Sequence, residues 1–99
     1  NFQQTGKNKD IMDLKNISQK WKSFGWIVEK IDGHNIEQIY EALTSNSKRN
    51  KPLAIIANTT KGHGISFAEN DNAWHHNVLS KKFYEKAITE INKLWNAIK

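Results

Sequence analysis

The sequence predicts an α/β fold in which parallel strands alternate with helices and the sheet is incomplete. Two helix-period apolar stripes, at residues 14–24 and 36–43, each precede a short strand-like apolar run, at 26–31 and 52–57. A long glycine-containing loop follows the second run, and a last helical pattern follows the loop. Strands that alternate with helices imply right-handed crossovers and a parallel sheet covered on both faces.

The first stripe runs Leu14, Ile17, Trp21, Phe24, with Asp13 as the expected N-cap. Gly25 tolerates a positive φ and ends that helix, and residues 26–31 then alternate and are rich in β-branched side chains. Asp32-Gly33-His34-Asn35 is a turn, in which Asn35 with Gln38 three residues on can satisfy free N–H groups at a helix start. Ile36, Ile39, Tyr40 and Leu43 form the expected buried stripe of the second helix. A polar run over 44–51 ends it, and residues 52–57 are nearly all apolar, as in a strand buried on both faces. The last helix begins near Ser80, with Phe83, Ala87, Ile88, Ile91, Leu94, Trp95 and Ile98 on its apolar side.

Composition narrows the function classes. A chain of 99 residues is long enough for one domain, and such a domain buries only about 60–65 % of its unfolded surface. Apolar residues make up 37 % and mean hydropathy is −0.75, so a partner surface is expected. The chain opens at Asn1 inside what reads as an interrupted motif, and residues 1–99 are taken as a single partial domain of something longer. No apolar run approaches the roughly 20 residues that cross a bilayer, and the lack of cysteine removes disulfides and thiolate metal sites. A cytoplasmic location is the expectation. The net charge of +5 raises nucleic acid as a partner. Lysines nevertheless spread along the whole chain between acidic residues, and the longest basic cluster is Lys48, Arg49 and Lys51, so a solvated surface is preferred.

Chemistry concentrates in the loop. Thr59-Thr60-Lys61-Gly62-His63-Gly64 follows the second strand, where ligands gather in parallel sheets. Its glycines permit a tight turn and close backbone approach, and its lysine suits an anion. A plain structural turn is the competing reading, since the pattern is neither the Walker motif nor the dinucleotide fingerprint. Trp74-His75-His76 stands later in the loop. Either histidine can move protons near neutral pH or simply pack, and adjacent histidines do not converge on one metal ion.

The run from Asn58 through Lys61, His63 and Asn70 to Trp74-His75 resembles the transketolase N-terminal domain, above all the short, separately encoded N-terminal subunits of bacteria. The resemblance extends upstream through Trp21-Lys22-Ser23-Phe24-Gly25-Trp26, Asp32-Gly33-His34 and Lys51-Pro52, and to Asn1-Phe2-Gln3-Gln4-Thr5-Gly6, which is similar to the segment after that family's metal motif. It implies the C-terminal part of a thiamine diphosphate-binding fold, with thiamine diphosphate and Mg²⁺ as cofactors. The implied activity is transfer of a two-carbon ketol unit between sugar phosphates, in a homo- or hetero-oligomer completed by a C-terminal transketolase subunit or domain.

By the same resemblance, Lys61 and His75 are the cofactor-binding residues, and His75 is also catalytic. A charge-assisted bond from the lysine to the diphosphate and proton transfer by the histidine are the chemistry expected of them. Phe2 falls where the family offers a backbone carbonyl to the metal; a shift of one position would make Asn1 the ligand. The family's metal is also held by the Asp of a Gly-Asp-Gly motif and by an Asn some way downstream; that motif is not in these residues, and the activating glutamate belongs to another domain or subunit, so this stretch alone is not expected to turn over. His76 stands where long transketolases have glycine, and His63 where the family often has lysine, arginine or an aromatic residue. Three other readings stay open: a deoxyxylulose phosphate synthase-like enzyme, which shares a lysine-glycine loop, a basic module gripping nucleic acid, and a degenerate assembly subunit.

Overall fold

The computed structural model describes residues 1–44 and 50–98. It shows mixed α/β structure with a two-stranded parallel sheet, the incomplete sheet expected from the sequence. In chain order the elements are α1 (Asn8–Ile11), α2 (Ile17–Ser23), β1 (Ile27–Asp32), α3 (Ile36–Thr44), β2 (Leu53–Asn58), a 3-10 turn (Asn72–His75) and α4 (Lys81–Ile98). Two compact units result: Asp13–Thr59, and Asn1–Met12 together with Thr60–Lys99.

In the unit Asp13–Thr59, β1 and β2 pair in register from Ile27 opposite Leu53 to Asp32 opposite Asn58. Both ends of the ladder extend by one bond. Ile27 N–H donates to the Pro52 carbonyl at 2.9 Å and Gly33 N–H to the Asn58 carbonyl at 2.8 Å. Each strand thus starts and ends one residue later than the sequence suggests. Gly33 is required where the strands end: a Cβ there would meet Thr59 Cγ2 at 2.5 Å and the Asn58 carbonyl at 3.1 Å.

Two local expectations are corrected. Asn16, not Asp13, caps α2, accepting from Gln19 N–H at 3.1 Å. Asp13 instead accepts from Lys15 N–H at 2.8 Å and pairs with the Lys15 ammonium at 3.0 Å, in a turn that takes Lys15 to a φ of 52°. That turn leaves Leu14 ahead of the helix, while Phe24 is its C-cap. Gly25 at φ 83° then redirects the chain as expected, and Trp21 meets Trp26 edge-on at 4.7 Å between centroids.

The second correction concerns α3. Its start is the one read from sequence: Asn35 Oδ1 accepts from Gln38 N–H at 3.0 Å. The Gln38 side chain reaches back past Asn35 to Asp32 N–H, at 2.8 Å. The buried stripe is different. Ile36, Tyr40 and Leu43 are 76 %, 67 % and 68 % exposed, whereas Ala42 is buried and Ile39 half-buried. At 100° per residue the inward face is turned by about a quarter of the helix circumference relative to the apolar stripe, because the packing of α3 is against β1.

The other unit holds α1, the 3-10 turn and α4. Residues 1–7 form a small loop with an antiparallel bridge between Phe2 and Lys7, flanked by bonds from Asn8 N–H to the Asn1 carbonyl (3.0 Å) and from Gln3 N–H to the Gly6 carbonyl (2.7 Å). On α4 Ala87 is buried and Glu90 half-buried, while Leu94, Trp95 and Ile98 of the expected apolar side stand exposed.

Candidate functional site

The loop between β2 and α4 is a folded structure in its own right. His63 N–H donates to the Thr60 carbonyl (3.2 Å), Ile65 N–H to Gly62 (3.2 Å), and Ala68 and Glu69 N–H to Ile65 (2.8 and 3.0 Å). Asn70 N–H then returns to the Lys61 carbonyl at 2.9 Å, closing the loop on the lysine itself. Glu69 ties the middle, accepting from Gly64 N–H at 3.0 Å and lying 3.3 Å from His63 Nδ1. His63 therefore faces Glu69 inside the loop, which gives the residue between the two glycines a structural partner.

Gly62 has a specific reason to be glycine. Its φ is +72°, and a Cβ would lie 2.3 Å from the Ala68 carbonyl oxygen. Gly64 also has positive φ, at +89°, but open space around it.

Asp71 Oδ1 accepts from Ala73 N–H at 2.9 Å and starts the 3-10 turn that carries His75. Trp74 anchors the turn: its ring lies 4.8 Å from Phe67 and 5.1 Å from Phe83 between centroids, and Phe67 and Phe83 are 4.9 Å apart. Three aromatic rings in mutual tilted or edge contact supply both apolar burial and preferred geometry. Helix α4 reinforces the loop through Lys86, whose ammonium sits 5.2 Å from the Phe67 ring centre, and through Glu90, whose carboxylate takes the Ser66 N–H and hydroxyl, each at 2.7 Å. Those two bonds hold the Glu90 carboxyl below the ordinary range. Sequence reasoning leaves α4 generic; the serine and glutamate lie 24 positions apart, beyond any local pattern.

Lys61 and His75, fourteen positions apart, are brought together: Lys61 Nζ lies 3.1 Å from His75 Nδ1. An ammonium can only donate, so Nδ1 accepts and the neutral ring carries its proton on Nε2. Partial loss of water around the ring, then the Lys61 ammonium and the neighbouring His76 ring, push the His75 pKa below its usual value. The pair thus offers a cation and a ring N–H, two donors suited to an anionic oxygen.

The N-terminal loop meets the same turn. Asn72 Nδ2 donates to the Gln4 carbonyl at 2.6 Å, Gln4 Nε2 contacts His76 Nε2, and the His76 ring stands edge-on to His75 at 4.6 Å between centroids. Phe2 lies two residues from Gln4. The bonds beside its bridge run through Asn1 and Gln3, so its own carbonyl points away from Lys7. One outward carbonyl is a suitable oxygen for a hard cation, although among the described residues no three His, Asp or Glu side chains converge on a metal position. The donor pair fits a diphosphate, and the Phe2 carbonyl offers one oxygen to a metal. Elsewhere, a cavity of about 440 Å³ beside α3 is lined by Glu29, Lys30, Ile31, Gln38, Glu41 and Ala42 and contains none of the predicted site residues. Lys48 and Arg49 lie outside the described residues.

Comparison with known proteins follows the same line. The chain is 37 % identical over 89 residues to the 6-deoxy-6-sulfo-D-fructose transketolase subunit SqwG of Clostridium sp. strain MSTE9, covering 89 % of this chain and 32 % of that protein. It is 35 % identical over 93 residues to a subunit of the apulose-4-phosphate transketolase of Phocaeicola vulgatus, covering 93 % and 33 %. Against mouse transketolase the identity is 38 % over 73 residues, covering 74 % and 11 %. The chain spans about a third of the length of the bacterial subunits it matches. The family model described as transketolase, thiamine diphosphate binding domain matches residues 4–95, and the chain belongs to that family.

Proposed function

We propose that residues 1–99 are one partial domain, the late portion of the cofactor-binding domain of a transketolase-like enzyme that moves a two-carbon ketol unit between sugar phosphates. The observation that carries this reading is the 3.1 Å contact between Lys61 and His75 in a chain of the thiamine diphosphate-binding family. Thiamine diphosphate, when bound, supplies the carbanion chemistry that carries the two-carbon fragment.

This chain's residues place and protonate. Lys61 gives its ammonium to a diphosphate oxygen. His75, with its proton on Nε2, donates a hydrogen bond to substrate or phosphate oxygen; its lowered pKa keeps the ring neutral, and a proton is taken up at Nδ1 where Lys61 gives up its bond there to the diphosphate. The loop bond from Asn70 to the Lys61 carbonyl and the aromatic anchor at Trp74 hold both groups in place. In this reading the Phe2 carbonyl supplies one oxygen to Mg²⁺, the others coming from outside these residues. A C-terminal transketolase subunit or domain completes the enzyme, in a homo- or hetero-oligomer, and exposed apolar faces such as that bearing Trp95, 62 % exposed, are where neighbouring structure covers the chain. No helix among the described residues is long and apolar enough to cross a membrane; a cytoplasmic location is part of the proposal, and neither membrane nor nucleic acid is a partner in it.

The test is a product assay on the full protein with its C-terminal partner. A ketose donor with an aldose phosphate acceptor should give two-carbon transfer. His75→Ala should lower kcat, and Lys61→Ala should mainly raise the thiamine diphosphate concentration needed for half-activity. Consumption of pyruvate instead of the ketose would assign the deoxyxylulose phosphate synthase-like reaction, and wild-type kinetics in both variants would remove the two residues from the site.

A further inference from the structure

We propose that Gln4 is a positioning residue for His75, clamping both ends of the short turn that carries it. The proposal rests on the reading of His75 as a working residue of the cofactor site. The turn spans Asn72–His75, with His76 as its C-cap. Gln4 holds the first residue through its backbone carbonyl, which accepts from Asn72 Nδ2 at 2.6 Å, and the C-cap through its side-chain amide on His76 Nε2. One residue of the N-terminal loop thus grips positions 72 and 76, and His75 lies between them. A 3-10 turn of four residues has poor internal bonds, so bonds from outside carry much of its geometry.

The clamp also reaches His75 through its neighbour's ring. Gln4 Nε2 is an amide donor, so His76 Nε2 accepts and the neutral His76 ring keeps its proton on Nδ1. That fixed ring stands at 87° to the His75 ring, 4.6 Å away between centroids, on the turn opposed by Lys61 at Nδ1. His75 is therefore held by Lys61 on one side and by the Gln4–His76 pair on the other. A glycine at position 76 offers no ring to clamp, and this arrangement needs both Gln4 and His76.

The test uses the full protein and two variants. Gln4→Glu keeps the length of the side chain but replaces the donor with an acceptor, and Gln4→Ala removes the side chain while sparing the backbone bond to Asn72. Ring nitrogen chemical shifts of the histidines, read by nitrogen-15 NMR, should show His76 protonated on Nδ1 in the wild type and on Nε2 in Gln4→Glu, with the His75 resonances moving as well. In the ketol transfer assay, kcat of both variants should fall about 3- to 10-fold, the size of one hydrogen bond, with the affinity for thiamine diphosphate retained because Lys61 is untouched. The same His76 tautomer in wild type and Gln4→Glu, or His75 resonances that do not move in either variant, would overturn the proposal. If the wild type carries out no ketol transfer, the proposed function fails, and the NMR comparison alone still decides whether Gln4 sets the ring.

Discussion

A methyl group added at Gly62 tests how the lysine loop is built. Gly62→Ala places a side chain in the left-handed region, at φ +72°, and its Cβ 2.3 Å from the Ala68 carbonyl oxygen and 2.5 Å from the carbonyl carbon. Both contacts are backbone, so no rotamer change relieves them. The conformational strain is about 1–2 kcal/mol, and forcing an extra carbon into a filled space adds about 1–3 kcal/mol. Gly64→Ala is the internal control: its φ of +89° imposes the strain, but nothing lies within 4 Å of the new carbon. Urea unfolding of the full protein should therefore show Gly64→Ala destabilised by about 1–2 kcal/mol and Gly62→Ala by about 2–5 kcal/mol. If the loop opens to relieve the clash, the Asn70 bond to the Lys61 carbonyl breaks and thiamine diphosphate affinity falls in Gly62→Ala alone. Equal stability and equal affinity in the two variants would refute the close packing of Gly62 on Ala68.

Asn16→Ala should cost about 1 kcal/mol as the loss of a helix cap, and Asp13→Ala less, measured by the same unfolding; the reverse order would restore Asp13 as the cap. Phe83→Ala removes one ring of the Phe67–Trp74–Phe83 cluster, and should destabilise by about 1–3 kcal/mol with a red shift of Trp74 emission. Because the folded His75 pKa is below the ordinary value of 6.5, the unfolded chain binds the proton more readily. Its contribution to stability is present above pH 6.5 and is lost as pH falls through the lower folded value. Lys61→Met removes one cause of that depression, so the His75 titration followed by NMR should move upward while remaining depressed by the loss of water around the ring.

The order of α2, β1, α3, β2 and α4 is legible because each rests on a local signal: a stripe of period 3.6, a β-branched run, or a glycine at positive φ such as Gly25; the four-residue α1 and the 3-10 turn are too short to carry such a period. The start of α3 is legible for the same reason, since Asn35 and Gln38 act within one turn. Burial is not. The pattern Ile36, Tyr40, Leu43 defines an apolar face correctly, but which face is covered depends on what packs there, and here α3 packs on β1 with Ile39 and Ala42 as its covered residues. The N-cap of α2 is misread because Asp13 and Asn16 are both good caps, and the choice is made by the Lys15 turn. At the site, Lys61 and His75 come from a recognisable motif, whereas Gln4, Ser66 and Glu90 act through partners 72 and 24 residues away. No pattern along the chain marks such pairs.

Whether Lys61 holds the diphosphate is tested most directly by a calorimetric titration of the full protein with thiamine diphosphate, comparing the wild type with Lys61→Ala at fixed Mg²⁺. Saturable binding to the wild type is expected, with affinity lower by about tenfold or more in the variant, from loss of a charge-assisted bond. Equal affinity in the two proteins would contradict this and remove Lys61 from the diphosphate site.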